Sequence, residues 1–88
     1  MLSEAMYYVY ILKSLKNGSS YVGATGKQVL ARLSEHNVGQ NNWTRKYRPY
    51  KLVYYESYFC KSDALHREKF LKSGQGTKLV KLIIENFN

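Results

Sequence analysis

The chain carries a glutamate where a helix would normally bury an apolar residue. If the residues from 62 or 63 to before 74 form a helix, at ~100° per residue, Glu68 lies at the centre of an apolar arc. The arc consists of Ala64, Leu65 and Leu71. A carboxylate in such a place is rarely left without a cation. Two interpretations follow: an internal ion pair with Arg32, or a ligand for a hard cation such as Mg²⁺, which takes oxygen ligands.

An earlier helical segment carries two further polar groups beside its apolar stripe. Arg32 and His36 lie one helical turn apart along the border of that stripe. The stripe consists of Val29, Leu30 and Leu33. Arginine can bind a phosphate through two parallel hydrogen bonds, and histidine can donate to a phosphate or move a proton. The alternative is that both side chains belong to a solvated flank of the helix.

Two tyrosines belong to β-rich runs on either side of the hairpin signal Asn17-Gly18. A two-residue turn there would put Tyr10 and Tyr21 on one face but four steps apart, about 13 Å at ~3.3 Å per residue. A shifted turn of the same parity would bring the rings closer, and an odd-length loop would separate them. Gly23 shares the tyrosine face, and a glycine in a strand often marks close approach of a backbone or ligand. Plain packing of the rings is the alternative.

These residue types together suit the hydrolysis of a phosphodiester bond. A metal on the carboxylate would neutralise the phosphate, and an arginine would stabilise the charge that develops on it. A tyrosine, with a pKa near 10, needs neighbouring cations if it is to accept a proton. The sequence contains no Ser/His/Asp arrangement, no Gly-rich phosphate loop and no CxxC pair. Phosphodiester cleavage is therefore the chemistry that the set predicts.

Composition points to the same class of substrate. The 88 residues include 14 Lys and Arg against 6 Asp and Glu, a net charge of +8. This charge favours a polyanionic partner, with nucleic acid first and an anionic membrane surface second, and a soluble protein that is merely basic is the alternative. No apolar run reaches the ~18 residues of a membrane span. Cys60 is the only cysteine, which suits a reducing, intracellular setting, and we expect it to be at least half-buried. We expect His66 to lie on the surface.

The basic loop 40–50, with the sequence QNNWTRKYRPY, is a candidate nucleic-acid contact. Its cations would bind the phosphate backbone and its rings would stack on bases. An ordinary exposed loop is the alternative. The candidate DNA-binding residues in it are Trp43, Arg45, Lys46 and Arg48.

The elements that must position these groups follow from periodicity and turn signals. Strands are predicted at 7–13, 20–24 and 51–57, and helices at 27–37, from 62 or 63 to before 74, and 77–87. The first helix should begin with a capping box at Thr25–Gln28 and stop near Gly39. Gly74 should follow the end of the second helix, and Leu79, Val80, Ile83 and Phe87 should form the stripe of the third. The order ββαβαα predicts an α+β fold with a three-stranded sheet flanked by three helices.

Five sequence blocks in this order resemble the GIY-YIG nuclease superfamily from about residue 7 to residue 87. The likeness is strongest to small stand-alone bacterial members, and the chain is also similar to the nuclease domains of the excision-repair incision subunit and of Slx1-type endonucleases. The blocks are Tyr8-Val9-Tyr10, Tyr21-Val22-Gly23, Leu30 to Asn37 (LARLSEHN), Arg48-Pro49 with Leu52-Val53-Tyr54, and Ala64-Leu65-His66-Arg67-Glu68.

The resemblance implies a role for each matched residue. Tyr10 or Tyr21 corresponds to the proton-accepting tyrosine, and Tyr10 is our choice. Arg32 corresponds to the phosphate-binding arginine, and His36 to a position that holds His or Tyr. Glu68 corresponds to the single ligand of one divalent ion, Mg²⁺ or Mn²⁺. The implied reaction is hydrolysis of DNA to a 5′-phosphate and a 3′-hydroxyl.

The resemblance also sets expectations for the whole protein. We expect residues 1–88 to form a single domain, with its core at about 7–87. DNA is the expected partner, in branched, damaged or junction form. The expected role is in DNA repair in the bacterial cytoplasm or nucleoid, and a protein partner is compatible with it. A non-catalytic nucleic-acid-binding module or accessory subunit is the alternative function.

Overall fold

A computed structural model describes residues 6–87, and the rest of the expected domain lies outside the described residues. The elements follow the predicted order ββαβαα and confirm the α+β class. They are β1 (Tyr7–Ser14), β2 (Ser20–Thr25), α1 (Val29–Asn37), a short 3₁₀ turn (Arg45–Tyr47), β3 (Tyr50–Tyr58), α2 (Lys61–Leu71) and α3 (Gly74–Phe87).

The strands form one antiparallel sheet in the order β2-β1-β3. A two-residue turn at Asn17-Gly18 would set Tyr10 opposite Thr25, but Tyr10 lies opposite Gly23. The two-residue turn is therefore wrong, and the shifted register brings the Tyr10 and Tyr21 ring centroids to 6.4 Å on one face. The longer connection includes Gly18, whose φ of 77° is the left-handed conformation that glycine adopts without steric cost.

Alternation along the strands gives the sheet two apolar faces, and helices cover both of them. Val9, Ile11 and Val22 pack against α2 and α3 in one buried cluster. Tyr10 and Leu12 belong to a second cluster, which α1 covers. The catalytic candidates of β1 and β2 therefore lie on the α1 face of the sheet.

The first helix ends as predicted but begins differently. Gly39 has a φ of 86° and follows the C-cap, and its N–H donates to the His36 carbonyl at 3.1 Å. This is the left-handed glycine stop that the sequence indicates. The capping box is wrong, because the Thr25 hydroxyl accepts from the Lys27 N–H at 3.0 Å in a local turn instead. The helix begins at Val29, after an N-cap without a side-chain hydrogen bond.

The second and third helices meet at a tight junction. α2 ends at Leu71, before Gly74 as predicted, but its C-cap is Lys72, so Gly74 is not the C′ residue and that part of the prediction is wrong. Gly74 instead begins α3. A Cβ at Gly76 would overlap the Phe70 carbonyl oxygen and lie 2.5 Å from the Leu71 Cα, so a side chain there would force the two helices apart. α3 thus starts three residues earlier than predicted, at 74 rather than 77.

Several residues predicted to be buried are exposed. Leu30 is 69% exposed, Leu65 45% and Phe87 63%, so each helix buries a narrower stripe than its apolar residues suggest. Cys60 is exposed, which contradicts the expected half-buried thiol. His66 lies on the surface, as expected.

A polar network ties β3 to α2. The Glu56 carboxylate accepts from the hydroxyls of Tyr54 and Tyr58, both at 2.7 Å. It also accepts from Nε and Nη2 of Arg67, both at 2.9 Å. These four donors satisfy a carboxylate that is only 15% exposed, and they fix the helix that carries Glu68 against the sheet.

Candidate active site

A chain of buried hydrogen bonds links β1, α1 and the loop after α1. The Tyr10 hydroxyl lies 2.9 Å from Nε2 of His36, and Nδ1 of His36 lies 2.7 Å from the Thr44 hydroxyl. Tyr10 is 1% exposed, and His36 and Thr44 are fully buried. The solvated-flank interpretation is therefore wrong for His36, whose two ring nitrogens each have a buried partner.

Burial sets the protonation state of this pair. It raises the pKa of Tyr10 to about 12, against the opposing effect of the Arg32 guanidinium. Burial, together with the positive charge of Arg32, lowers the pKa of His36 to about 4. At neutral pH the phenol is protonated and the imidazole is neutral, so one imidazole nitrogen donates and the other accepts.

Arg32 lies beside the Tyr10 hydroxyl but takes its ion-pair partner from its own helix. Its Nη1 donates to the Glu35 carboxylate at 2.7 Å, and the Arg32 side chain is 24% exposed. Lys27 pairs with the other oxygen of Glu35. Two cations thus share one carboxylate, which leaves positive charge at the edge of the Tyr10 cluster.

Glu68 is partly buried, and its ion-pair partner is Lys72, not the expected Arg32. Its Oε2 accepts from Nζ of Lys72 at 2.9 Å, with Glu68 21% exposed and Lys72 49% exposed. The internal Arg32–Glu68 pair is therefore wrong. Nζ of Lys72 also lies 5.8 Å from the centroid of the Tyr21 ring. The charge of Glu68 acts on Tyr10 as well, and contributes to its raised pKa.

Glu68 is the candidate donor for a divalent ion near Tyr10. Within residues 6–87 no group of three or more His, Cys, Asp and Glu side chains could enclose a metal. One carboxylate still fits Mg²⁺, which is usually held by one or two carboxylates together with waters and substrate phosphate oxygens. Its Oε2 already accepts from the half-exposed Lys72, so a divalent ion at this atom would replace that contact.

Gly23 provides the space for the Tyr10 hydroxyl. A Cβ at this position would overlap the Tyr10 hydroxyl oxygen and lie 2.5 Å from Cζ of the same ring. The absence of a side chain at Gly23 lets the Tyr10 phenol approach the backbone of β2 closely. The predicted close approach is thus made by Tyr10 itself.

The loop after α1 turns one side chain inward and its neighbour outward. The Asn41 side-chain oxygen accepts from the N–H groups of Trp43 at 2.8 Å and Thr44 at 3.1 Å. Thr44 is buried against His36, whereas Trp43 is 80% exposed. Two open grooves flank Trp43, and Tyr21 lines both of them. The predicted contact residues Arg45, Lys46 and Arg48 are all exposed.

The structure thus brings together Tyr10, Tyr21 and His36, whose ring centroids are 5.0 to 6.4 Å apart. Of the four predicted DNA contacts in the loop, Trp43 and Lys46 border the grooves beside Tyr21, whereas Arg45 and Arg48 line neither. Sequence reasoning missed Thr44 and Lys72. Lys72 follows Glu68 by four residues, a spacing that signals a helical ion pair. Thr44 lies in an irregular loop, where periodicity gives no signal.

A family model described as the GIY-YIG catalytic domain matches residues 6–81. The chain belongs to the GIY-YIG family. This membership confirms the resemblance drawn from the sequence blocks and assigns a nuclease-type activity at family level. The Tyr10, Tyr21, Arg32, His36 and Glu68 positions all fall inside the matched GIY-YIG range.

Small UPF0213 proteins are similar to this GIY-YIG chain over nearly their whole length. One from Staphylococcus saprophyticus is 42% identical over 80 residues, which cover 90% of this chain and 95% of the relative. One from Staphylococcus aureus is 44% identical with the same coverage of 90% and 95%. A UPF0213 protein from Bacillus halodurans, solved by solution NMR, is 34% identical with a TM-score of 0.51, over 88% of this chain and 84% of that one. No helix in the described part of the chain is long and apolar enough to cross a membrane.

Proposed function

We propose that the chain is a divalent-metal-dependent endonuclease that hydrolyses DNA phosphodiester bonds and leaves a 5′-phosphate and a 3′-hydroxyl. The observation that supports this proposal is the convergence of three groups on one phenol. The Tyr10 hydroxyl lies 2.9 Å from a nitrogen of the neutral His36 imidazole. It also lies beside Arg32, and the negative charge of Glu68 helps to raise its pKa.

The Tyr10–His36 pair would take the proton of the attacking water. With Nδ1–H donating to Thr44, Nε2 of His36 accepts from the Tyr10 hydroxyl. Tyr10 can then receive the water proton as its own proton moves to Nε2, so that no free phenolate has to form. The water oxygen bonds to phosphorus, the bond from phosphorus to O3′ breaks, and O3′ leaves with a proton from solvent.

Arg32 and Glu68 would act on the phosphate itself. Arg32, one-quarter exposed at 24%, can bind a non-bridging oxygen while it keeps its contact with Glu35. Glu68 would hold the divalent ion, Mg²⁺ or Mn²⁺, which when bound neutralises the phosphate and the leaving oxygen. Tyr21, which lines the open grooves, would contact the substrate and orient it.

A DNA substrate agrees with the charge of the chain. We propose that the protein acts in the bacterial cytoplasm. The net charge of +8 on 88 residues favours a nucleic acid over an uncharged or cationic substrate. We propose that residues 1–88 act as one domain, and that branched or damaged DNA in repair is the specific substrate.

Nicking of supercoiled plasmid tests the proposal. Wild type should nick in Mg²⁺ or Mn²⁺ and stop on addition of EDTA, and DNA ligase should reseal the nicks because they carry a 5′-phosphate and a 3′-hydroxyl. Glu68→Gln should lose about 100-fold or more in rate. Glu85→Gln, which removes the same charge from an exposed site on α3, is the matched control and should nick like wild type.

Equal nicking by wild type and Glu68→Gln would reject the proposed function, since the cutting would then come from a contaminant. Salt-sensitive DNA binding without cleavage in any divalent metal would also reject it, in favour of the non-catalytic binding module.

A further inference from the structure

Two grooves meet at Tyr21, and Trp43 stands between them. One has a volume of about 440 Å³ and includes Lys72 in its wall, and the other has a volume of about 390 Å³ and includes Lys46. Ser20, Tyr21 and Trp43 belong to both walls. We call this pair the Trp43 track. It lies along β2, whose residues Ser20 and Tyr21 line both grooves.

Trp43 presents an aromatic surface that the fold does not bury. It is the only tryptophan in the chain and is 80% exposed. Its backbone is held in place, because the Asn41 side chain accepts from the Trp43 N–H at 2.8 Å. An exposed indole on an ordered turn is the kind of stacking platform on which single-stranded DNA places its bases.

Cations lie on both sides of this platform. Lys72 is 49% exposed in the first groove, and Lys46 is exposed in the second. Successive phosphates of a strand whose base rests on the indole would meet one ammonium on each side. This alternation of cation, ring and cation distinguishes the track from a purely apolar groove, which would suit a peptide.

The track adjoins the proposed catalytic centre through Lys72. This side chain donates to Glu68 at 2.9 Å and lies 5.8 Å from the Tyr21 ring centroid. A nucleotide held by Lys72 therefore lies next to the phosphate that Glu68 and Tyr10 would act on. The nucleotide in the track is a neighbour of the scissile bond.

We infer that the Trp43 track binds an unpaired DNA nucleotide beside the scissile phosphate, with its base stacked on Trp43 and its flanking phosphates on Lys72 and Lys46. This inference rests on the proposed function, and it deepens it by naming the substrate as DNA with an unpaired nucleotide at the cut. A base inside an intact duplex is covered on both faces by its neighbours and has no free surface for the indole.

The single tryptophan makes binding directly measurable without catalysis. Tryptophan fluorescence is titrated in EDTA with a short oligothymidylate and, separately, with a blunt duplex of equal length. The oligothymidylate should quench the emission strongly, and the duplex should leave it nearly unchanged. In anisotropy with a labelled oligothymidylate, Trp43→Ala should weaken binding by about 10-fold.

Salt dependence tests the lysine contact. Lys72→Met should reduce the slope of log affinity against log salt by about 0.7, the value for one phosphate on a single strand. Lys69→Met removes the same charge from an exposed position of α2 that lines neither groove, and should leave the slope unchanged. Equal slopes for the two variants would overturn the assignment of Lys72.

Quenching by the duplex as strong as by the oligothymidylate would overturn the inference. If plasmid nicking is metal-dependent and sensitive to Glu68→Gln but the oligothymidylate does not quench, the inference fails while the proposed function stands. If the oligothymidylate quenches but no substrate is cut, the proposed function fails and the track remains a single-strand binding site.

Discussion

The Tyr10 hydroxyl and Nε2 of His36 lie 2.9 Å apart in the interior, although the two residues are 26 positions apart in the chain. The contact joins the central strand to α1, and it places a neutral imidazole next to a phenol whose pKa burial raises to about 12. The pair thus contributes both to the fold and to the proposed proton transfer. Its two roles can be measured separately.

Acid should destabilise the protein through His36. Its pKa is about 4 in the folded chain, against an ordinary value of 6.5, so the unfolded chain binds the proton more readily between these values. Stability should therefore fall as the pH drops from about 6.5 toward about 4, with a slope of up to about 1.4 kcal/mol per pH unit. Urea unfolding across this range should show the slope in wild type and in the surface control His66→Gln, and a flatter profile in His36→Gln. Identical profiles for all three would show that His36 is not buried in neutral form.

Gly23 should not tolerate a methyl group. Gly23→Ala should displace the Tyr10 ring, because the new Cβ overlaps its hydroxyl, with a cost of about 1–3 kcal/mol and loss of nicking. Gly26→Ala is the matched control, since its Cβ would lie 3.4 Å from the Tyr7 ring, which has to give by only a few tenths of an ångström. Urea unfolding and plasmid nicking of both variants check this. Equal stability of the two would contradict the close packing of Tyr10 on β2.

The Glu56 network should dominate the polar contribution to stability. Glu56→Gln removes the charge that four donors share and should cost about 2–3 kcal/mol, whereas Glu85→Gln on the surface should cost less than about 0.5 kcal/mol. Burial raises the pKa of Glu56, but Arg67 and the two tyrosines outweigh it and hold the pKa below its usual value. Its contribution is therefore complete above pH 4.5 and is lost as the pH falls through the lower folded value. A small cost for Glu56→Gln, comparable to that of Glu85→Gln, would be the contrary result.

Glu68 should matter little for stability in the absence of metal. Its pair with the half-exposed Lys72 is a helical i,i+4 contact, so Glu68→Gln should change the free energy of unfolding by less than about 1 kcal/mol. Millimolar Mg²⁺ should raise the Tm of wild type and of Glu85→Gln but not of Glu68→Gln, because only the folded carboxylate binds the ion. A Glu68→Gln variant that is strongly destabilised, or that still responds to Mg²⁺, would contradict the assignment of Glu68 as the metal ligand.

The element order and the two faces of the sheet could be predicted because they depend on local patterns. The alternation of β1 and the end of α1 at Gly39 are each determined by residues close together in the sequence. The β1–β2 register could not be predicted, since it depends on how many residues the turn uses. The Asn17-Gly18 signal indicates a shorter turn than the one that forms.

Burial at the site could be predicted only in part. The positions of Tyr10 and His36 follow from the strand and helix patterns, but the burial of His36 depends on Thr44, a loop residue that reaches back over α1. Periodicity describes one element at a time and cannot show such a contact. The exposure of Leu30 and Leu65 could not be predicted either, because it depends on how much of the apolar surface of α1 and α2 packs against the sheet.

The central claim is that Tyr10, held by His36, accepts the proton of the attacking water, whereas Tyr21 orients the substrate. The most direct test is single-turnover nicking of supercoiled plasmid in Mg²⁺ by the Tyr10→Phe and Tyr21→Phe variants. Circular dichroism should confirm that both variants are folded. We predict a loss of about 100-fold or more for Tyr10→Phe, the range of a general base, and a loss of about 10-fold or less for Tyr21→Phe. A folded Tyr10→Phe variant that cleaves at nearly the wild-type rate, or that is less impaired than Tyr21→Phe, would contradict the claim.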